Sequence, residues 1–270
     1  VATTGRRRAL GQHFLKDARI AGVIAEVAVS EARKLGCQAL LEIGPGKGAI
    51  THPILDRLGG ADSKLPFRVC EKDPRLVAFW KERGSPEVIE GDFLERAQAE
   101  WLRERPLAVV SNLPYSVGTA ILTRLAAHWD SIPVMVLMFQ AEVAARVRAE
   151  VSTRAWGSLS VWIQNRWDVA RLLHVKPGAF NPPPEVDSEV VVLRARVEPR
   201  IAVGPEHEAL WEQLIRVSFA HRRKMLRSGL PPGPWRNALE VAGVDGTKRA
   251  EALSWEEWRS LFEAALKLRS

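Results

Sequence analysis

From residue 18 to 35 the apolar side chains Ile20, Val23, Ile24 and Val27 recur at steps of three and four, the spacing of a helix with one buried face. Short apolar runs then alternate with helical stretches. The pattern predicts strands at 39–43, 67–70, 88–89, 107–110 and 133–139, with helices at 50–58, 74–83 and 117–129 between them. Such alternation describes an α/β fold, a mostly parallel sheet covered by helices on both faces. A less regular region follows, and 169–175 with 190–197 read as a final antiparallel pair separated by the Pro-rich loop 181–184. Beyond residue 198 only helical periodicity remains, at 210–219, 234–241 and 255–268, broken by Pro231-Pro232-Gly233-Pro234 and by 243–246. Two domains are therefore expected, 1–198 and a small all-helical one at 199–270.

Composition narrows the class. Hydrophobic residues at 46% and charged residues at 26% are those of a globular protein. No apolar run reaches the ~18 residues that cross a bilayer, and the basic N-terminal stretch carries no apolar signal core, so a cytoplasmic monomer is expected. Cys37 and Cys70 are too few for a disulfide framework or a four-thiolate site, and no His, Cys, Asp and Glu cluster has metal-ligand spacing. Net charge is +7, and it clusters in Arg6, Arg7, Arg8 and Lys16 and again in 221–227, which holds Arg222, Arg223 and Lys224. One such run is ordinarily a solvated face; two on a basic chain favour a nucleic-acid partner.

Chemistry gathers at predicted strand ends. Glu42-Ile43-Gly44-Pro45-Gly46-Lys47-Gly48-Ala49 runs from a strand through a glycine turn into a helix, where the backbone can approach a ligand closely. The loop also satisfies the dinucleotide fingerprint. Glu71 ends the next strand, where a carboxylate can accept the ribose hydroxyls of NAD or of S-adenosylmethionine. The acid ahead of the alternating glycines and Asp92 at the third strand end, placed to accept adenine amino hydrogens, favour S-adenosylmethionine; a plain Gly91-Asp92 turn is the alternative for the latter. The fourth strand ends in Asn112-Leu113-Pro114-Tyr115, and Tyr115 is the chain's single tyrosine. Asn and Pro are common turn residues, yet the Asn112 oxygen and the Leu113 carbonyl are also acceptors for an exocyclic amine, and Tyr115 can stack on its ring. Phe180 either faces Tyr115 across a flipped base or is a core phenylalanine at a loop.

Together these residues resemble the KsgA-type rRNA adenine dimethyltransferases. The likeness runs through Gly11-Gln12-His13-Phe14-Leu15, Glu42 to Gly48, Glu71-x-Asp73, Gly91-Asp92, Asn112 to Tyr115, Gln140-x-Glu142-Val143-Ala144, Phe180 to Ser188 and the basic segment from Phe219 to Arg227. The resemblance implies a Rossmann-like S-adenosylmethionine-dependent methyltransferase domain with a helical C-terminal domain that binds RNA. It implies dimethylation at N6 of two adjacent adenosines near the 3′ end of 16S rRNA, in the small ribosomal subunit or its precursor, without a metal. By motif match, Gln12, His13, Leu15, Gly44, Gly46, Glu71, Asp92 and Asn112 would surround the cofactor. Asn112, Leu113, Pro114, Tyr115 and Phe180 would hold the adenine. The family usually has Asn where His13 stands. Rival readings are an Erm-type 23S rRNA adenine methyltransferase, which tends to carry Ile at the position of Leu113, and a ribosome-assembly factor on the same fold.

Overall fold

The computed structural model describes residues 13–59 and 64–269. The chain divides into two compact units: residues up to Ala144 together with Trp167–Arg196, and Ala145–Arg166 together with the chain from Val197 onward.

The first unit is built on a seven-stranded sheet of order β4-β3-β2-β5-β6-β9-β7. Its strands are β2 (Ala39–Ile43), β3 (Phe67–Glu71), β4 (Glu87–Glu90), β5 (Leu107–Asn112), β6 (Val134–Gln140), β7 (Trp167–Val175) and β9 (Ser188–Ala195). The first five pair in parallel, whereas β9 runs antiparallel to both β6 and β7. Every residue of β2 and of β3 is buried, as expected of parallel strands covered on both faces. Two-residue strands β1 (Phe14–Leu15) and β8 (Phe180–Asn181) form a separate antiparallel pair.

Helices α1 (Ala18–Lys34), α2 (Thr51–Leu58), α3 (Pro74–Glu82), α4 (Gln98–Trp101) and α5 (Gly118–Ala126) fill the connections. Local chemistry fixes their starts. The Asp17 carboxylate caps α1 by accepting from the backbone N–H of Arg19 and Ile20, and Asp73 caps α3 ahead of Pro74. The apolar stripe of α1 places Ile24, Ala25, Ala28 and Val29 in the core with Val110 and Val136 of the sheet.

Strand order reverses between β2 and β5, so the crevice beyond their carboxyl ends is where a ligand is expected in a fold of this kind. Glu71, Gly91-Asp92 and Asn112 stand at or just past the ends of β3, β4 and β5, and Gly44 follows β2.

In the second unit α8 (Glu208–Phe219), α9 (Leu226–Gly229), α10 (Pro234–Val241) and α11 (Trp255–Lys267) close on an aromatic core with α7 (Ser158–Gln164). Trp211 meets Trp258 and Phe262 edge-on at 6.0 and 5.4 Å, and Phe219 stacks on Trp258 at 5.9 Å. Such contacts are worth about 0.5–1.5 kcal/mol each beyond burial. The sequence pattern ascribed 145–166 to the first domain; the structure groups that segment with the helical unit, because Trp156 and Val161 complete its core. Helix α6 (Ala141–Val147) starts directly at the end of β6. Among the described residues no helix is long and apolar enough to cross a membrane.

Candidate active site

A cleft of about 1000 Å³, measured out to its open mouth, lies at the carboxyl ends of β2, β3, β4 and β5. It brings together His13, Leu15, Gly44, Gly46, Glu71, Asp92 and the whole Asn112–Tyr115 turn. Gln12, Arg6, Arg7 and Arg8 lie outside the described residues.

The glycine turn makes one wall. Gly46 has φ +56, and a Cβ there would come within 3.0 Å of the Phe14 ring. Gly48 has φ +92, and its Cβ would meet His52 and Trp80 at 2.6 and 2.8 Å. Both positions therefore demand glycine for space as well as for conformation. The Trp80 indole N–H donates to the Gly46 carbonyl at 3.0 Å and ties the turn to α3.

Glu71 faces this turn. Its Oε1 accepts from the backbone N–H of Lys72 and Asp73, each at 2.9 Å, while Oε2 receives only a long bond from Gly46 N at 3.3 Å. One oxygen is thus held twice and the other only once and weakly, in a residue that lines the cleft. Burial raises the Glu71 carboxyl above its ordinary range, opposed by the three backbone N–H donors. Glu42 lies deeper, fully buried, with Thr51 Oγ1 donating to its Oε2 at 2.7 Å. Burial pushes its carboxyl to about 8; the Thr51 bond opposes the rise and the neighbouring Glu71 charge adds to it. Asp92 accepts from Leu94 N at 3.0 Å and pairs with Lys72 at 3.4 Å.

The other wall is the turn after β5. Asn112 Nδ2 donates one N–H to the His13 carbonyl at 3.2 Å, which orients the amide and leaves Oδ1 free to accept from a ligand. His13 is held in turn through Nδ1 at 2.9 Å from the Pro182 carbonyl, and its ring lies 5.2 Å from that of Tyr115. The Tyr115 hydroxyl is 2.6 Å from Ser188 Oγ.

One expectation needs correction. Phe180 does not line the cleft: it is 1% exposed, its register partner is Leu15, and its ring belongs to the apolar core under α1, the core-phenylalanine alternative. The aromatic neighbour of Tyr115 is His13 instead. In the helical unit Arg222, exposed like Arg223 and Lys224, donates to Glu251 at 3.1 Å, to the Trp156 carbonyl at 2.8 Å and to the Arg154 carbonyl. Several cleft residues escaped the sequence reading, among them Phe14, Lys47 and Lys72. Phe14 and Lys47 lay inside motifs already quoted and Lys72 beside Glu71, but nothing in the pattern turned them toward a ligand.

The residues fit S-adenosylmethionine. A carboxylate with one oxygen only weakly held can accept ribose hydroxyls, Asp92 can accept from an adenine amine, and the glycine backbone leaves room for the rest. Among the described residues no group of three or more His, Cys, Asp or Glu side chains is arranged to hold a metal ion.

Residues 4–267 match the family of ribosomal RNA adenine dimethylases. The ribosomal RNA small subunit methyltransferase A of Geobacter sulfurreducens is 36% identical over 274 residues, covering 96% of this chain and 95% of the relative. That of Acidovorax ebreus is 39% identical, covering 95% and 97%. Among solved structures, a dimethyladenosine transferase from Plasmodium falciparum shares the fold, with a TM-score of 0.73 at 23% identity over 95% of this chain and 98% of its own. The 23S rRNA methyltransferase ErmE gives 0.65 at 26% identity over 93% and 98%. With the match spanning nearly its whole length, from residue 4 to the end of the last helix at 267, this chain belongs to the ribosomal RNA adenine dimethylase family.

Proposed function

We propose that this protein transfers methyl groups from S-adenosylmethionine to N6 of two adjacent adenosines near the 3′ end of 16S rRNA, in the small ribosomal subunit or its precursor. The observation that carries the reading is the orientation of Asn112. One N–H of its amide is held by the His13 carbonyl, and the residue lines the same cleft as Glu71 and Asp92, with Oδ1 able to accept. An exocyclic amine is a poor nucleophile while its lone pair is delocalised into the ring. Acceptors at Asn112 Oδ1 and the Leu113 carbonyl would draw both N–H bonds to one side and turn the lone pair the other way. Tyr115 would hold the base plane, a stacking contact worth about 1–3 kcal/mol.

When bound, S-adenosylmethionine supplies a sulfonium methyl group, which the amine takes with loss of one N–H proton to solvent. The residues contribute alignment, which can account for much of the acceleration in such a transfer. Exposed Arg222, Arg223 and Lys224, with Arg6, Arg7 and Arg8, would meet phosphates, and looped RNA offers bases that can be splayed out. The protein would act as a cytoplasmic monomer.

Identity of 36–39% to small-subunit enzymes, against 26% to ErmE, supports 16S over 23S rRNA. Labelled S-adenosylmethionine, unmethylated small subunits and nucleotide mapping by mass spectrometry test this. N6-dimethyladenosine at two adjacent positions is expected. Label confined to large-subunit rRNA would favour the Erm-type activity, and no label with cofactor bound would favour an assembly factor.

A further inference from the structure

We propose that Ser188 is a positioning residue for methyl transfer, acting through the hydroxyl of Tyr115; the inference rests on the function proposed above. Ser188 opens β9 and is fully buried. Its backbone is gripped on both sides, in register with Gln140 of β6 and Val175 of β7. Tyr115 has no such support of its own. It stands on the turn between β5 and α5, is half-buried and lines the cleft. The 2.6 Å bond from the distal end of its ring to Ser188 Oγ joins this turn to the sheet across 73 residues of sequence.

A ring that serves as a stacking wall must be held in one orientation before the base arrives, since ordering it on binding subtracts from the contact. Fixing the phenol oxygen stops rotation of the ring out of the cleft, and the imidazole of His13 at 5.2 Å restricts it from another side. Burial raises the phenol above its ordinary range, with the Ser188 bond opposing, so the hydroxyl stays protonated at neutral pH and the O–H···O bond persists. Stacking alone would be served by Phe, and filling the end of a strand alone by Ala. A hydroxyl at each position is explained by the pair, because either one buried without the other would be left unsatisfied.

The test compares Ser188→Ala, Tyr115→Phe and the double variant in the full chain, using small subunits and saturating S-adenosylmethionine. Ser188→Ala is expected to lower kcat about tenfold, the scale of one lost hydrogen bond, with KM for the cofactor unchanged. In the Tyr115→Phe background Ser188→Ala should cost nothing further, since the two act as one unit. Tyr115 being the single tyrosine, ¹³C-tyrosine labelling gives one ring to follow by NMR, and its signals should sharpen toward averaged values in Ser188→Ala. Equal losses in both backgrounds would overturn the proposal. So would a lowered melting temperature with kcat and the ring signals unmoved. An inactive unaltered protein would instead sink the methyltransferase reading on which the proposal stands.

Discussion

On the cofactor side of the cleft the functional groups are held by partners close to them in sequence. Glu71 is fixed by backbone N–H groups one and two residues on, and Asp92 by one two residues on. On the base side they are held from far away: Asn112 by His13 across 99 residues, Tyr115 by Ser188 across 73, and His13 by Pro182 across 169. The first wall needs, beyond these local bonds, only links between neighbouring strand ends: Gly46 to Glu71, Lys72 to Asp92 and Trp80 to Gly46, 20–34 residues apart. The second exists only when the β1 segment, the loop before β9 and the turn after β5 have come together. Cofactor binding and base alignment should therefore be separable by mutation.

Asn112→Ala would break that separation most severely if it failed. It should lower kcat on small subunits by at least about 10²-fold, through loss of alignment at the reacting amine. Calorimetry should find cofactor affinity reduced far less. Glu71→Gln tests the opposite wall. Losing a charged acceptor for hydroxyl groups should weaken S-adenosylmethionine binding about 10–100-fold, with kcat recovered at saturating cofactor. A Gly46→Ala variant sharpens the contrast structurally. Its methyl group meets the Phe14 ring at 3.0 Å in a left-handed backbone, so denaturant unfolding should show a loss of about 1–3 kcal/mol, together with weakened cofactor binding.

A last effect lies outside both walls and concerns pH. Glu42 titrates near 8 in the folded chain against an ordinary 4.5, so between those values the native state holds a proton that the unfolded state has lost. Its contribution is intact below about pH 4.5 and is lost as pH rises toward 8. Glu42→Gln keeps an acceptor for Thr51 and removes the ionisation. Measured without cofactor, the variant should gain on the unaltered protein progressively as pH rises from 5 to 8, by about 4 kcal/mol in all, and level off above; a constant difference would refute the buried carboxyl as its cause.

The same division explains what could be read from the sequence. Strands β2 to β6 were legible because continuous apolar runs alternate with helical spacing, and the cofactor wall because each of its acids stands at or just past the end of such a run. Asn112 and Tyr115 announced themselves by type and place, but the bonds that orient them did not. Ser188 lay inside a quoted motif without a role, since its partner is named only by the fold. β1 and β8 are two residues each, too short to show any period. Phe180 could be read either way until its register with Leu15 placed it in the core. Helices α6 and α7 were missed because each has only seven residues and α6 begins where β6 stops, with no breaker between them.

The interrupted course of the helical unit has a consequence for the chain's manufacture. The chain passes between the units three times, at Ala144–Ala145, Arg166–Trp167 and Arg196–Val197. Trp156, a member of the helical core, is therefore made long before Trp258, which belongs to the same core. At about 5–20 residues added per second, it waits for roughly 5–20 s before the last helix exists to cover it. Over that interval an indole destined for full burial is displayed on a half-made protein. Premature termination after residue 198 would leave that indole without most of the core that covers it.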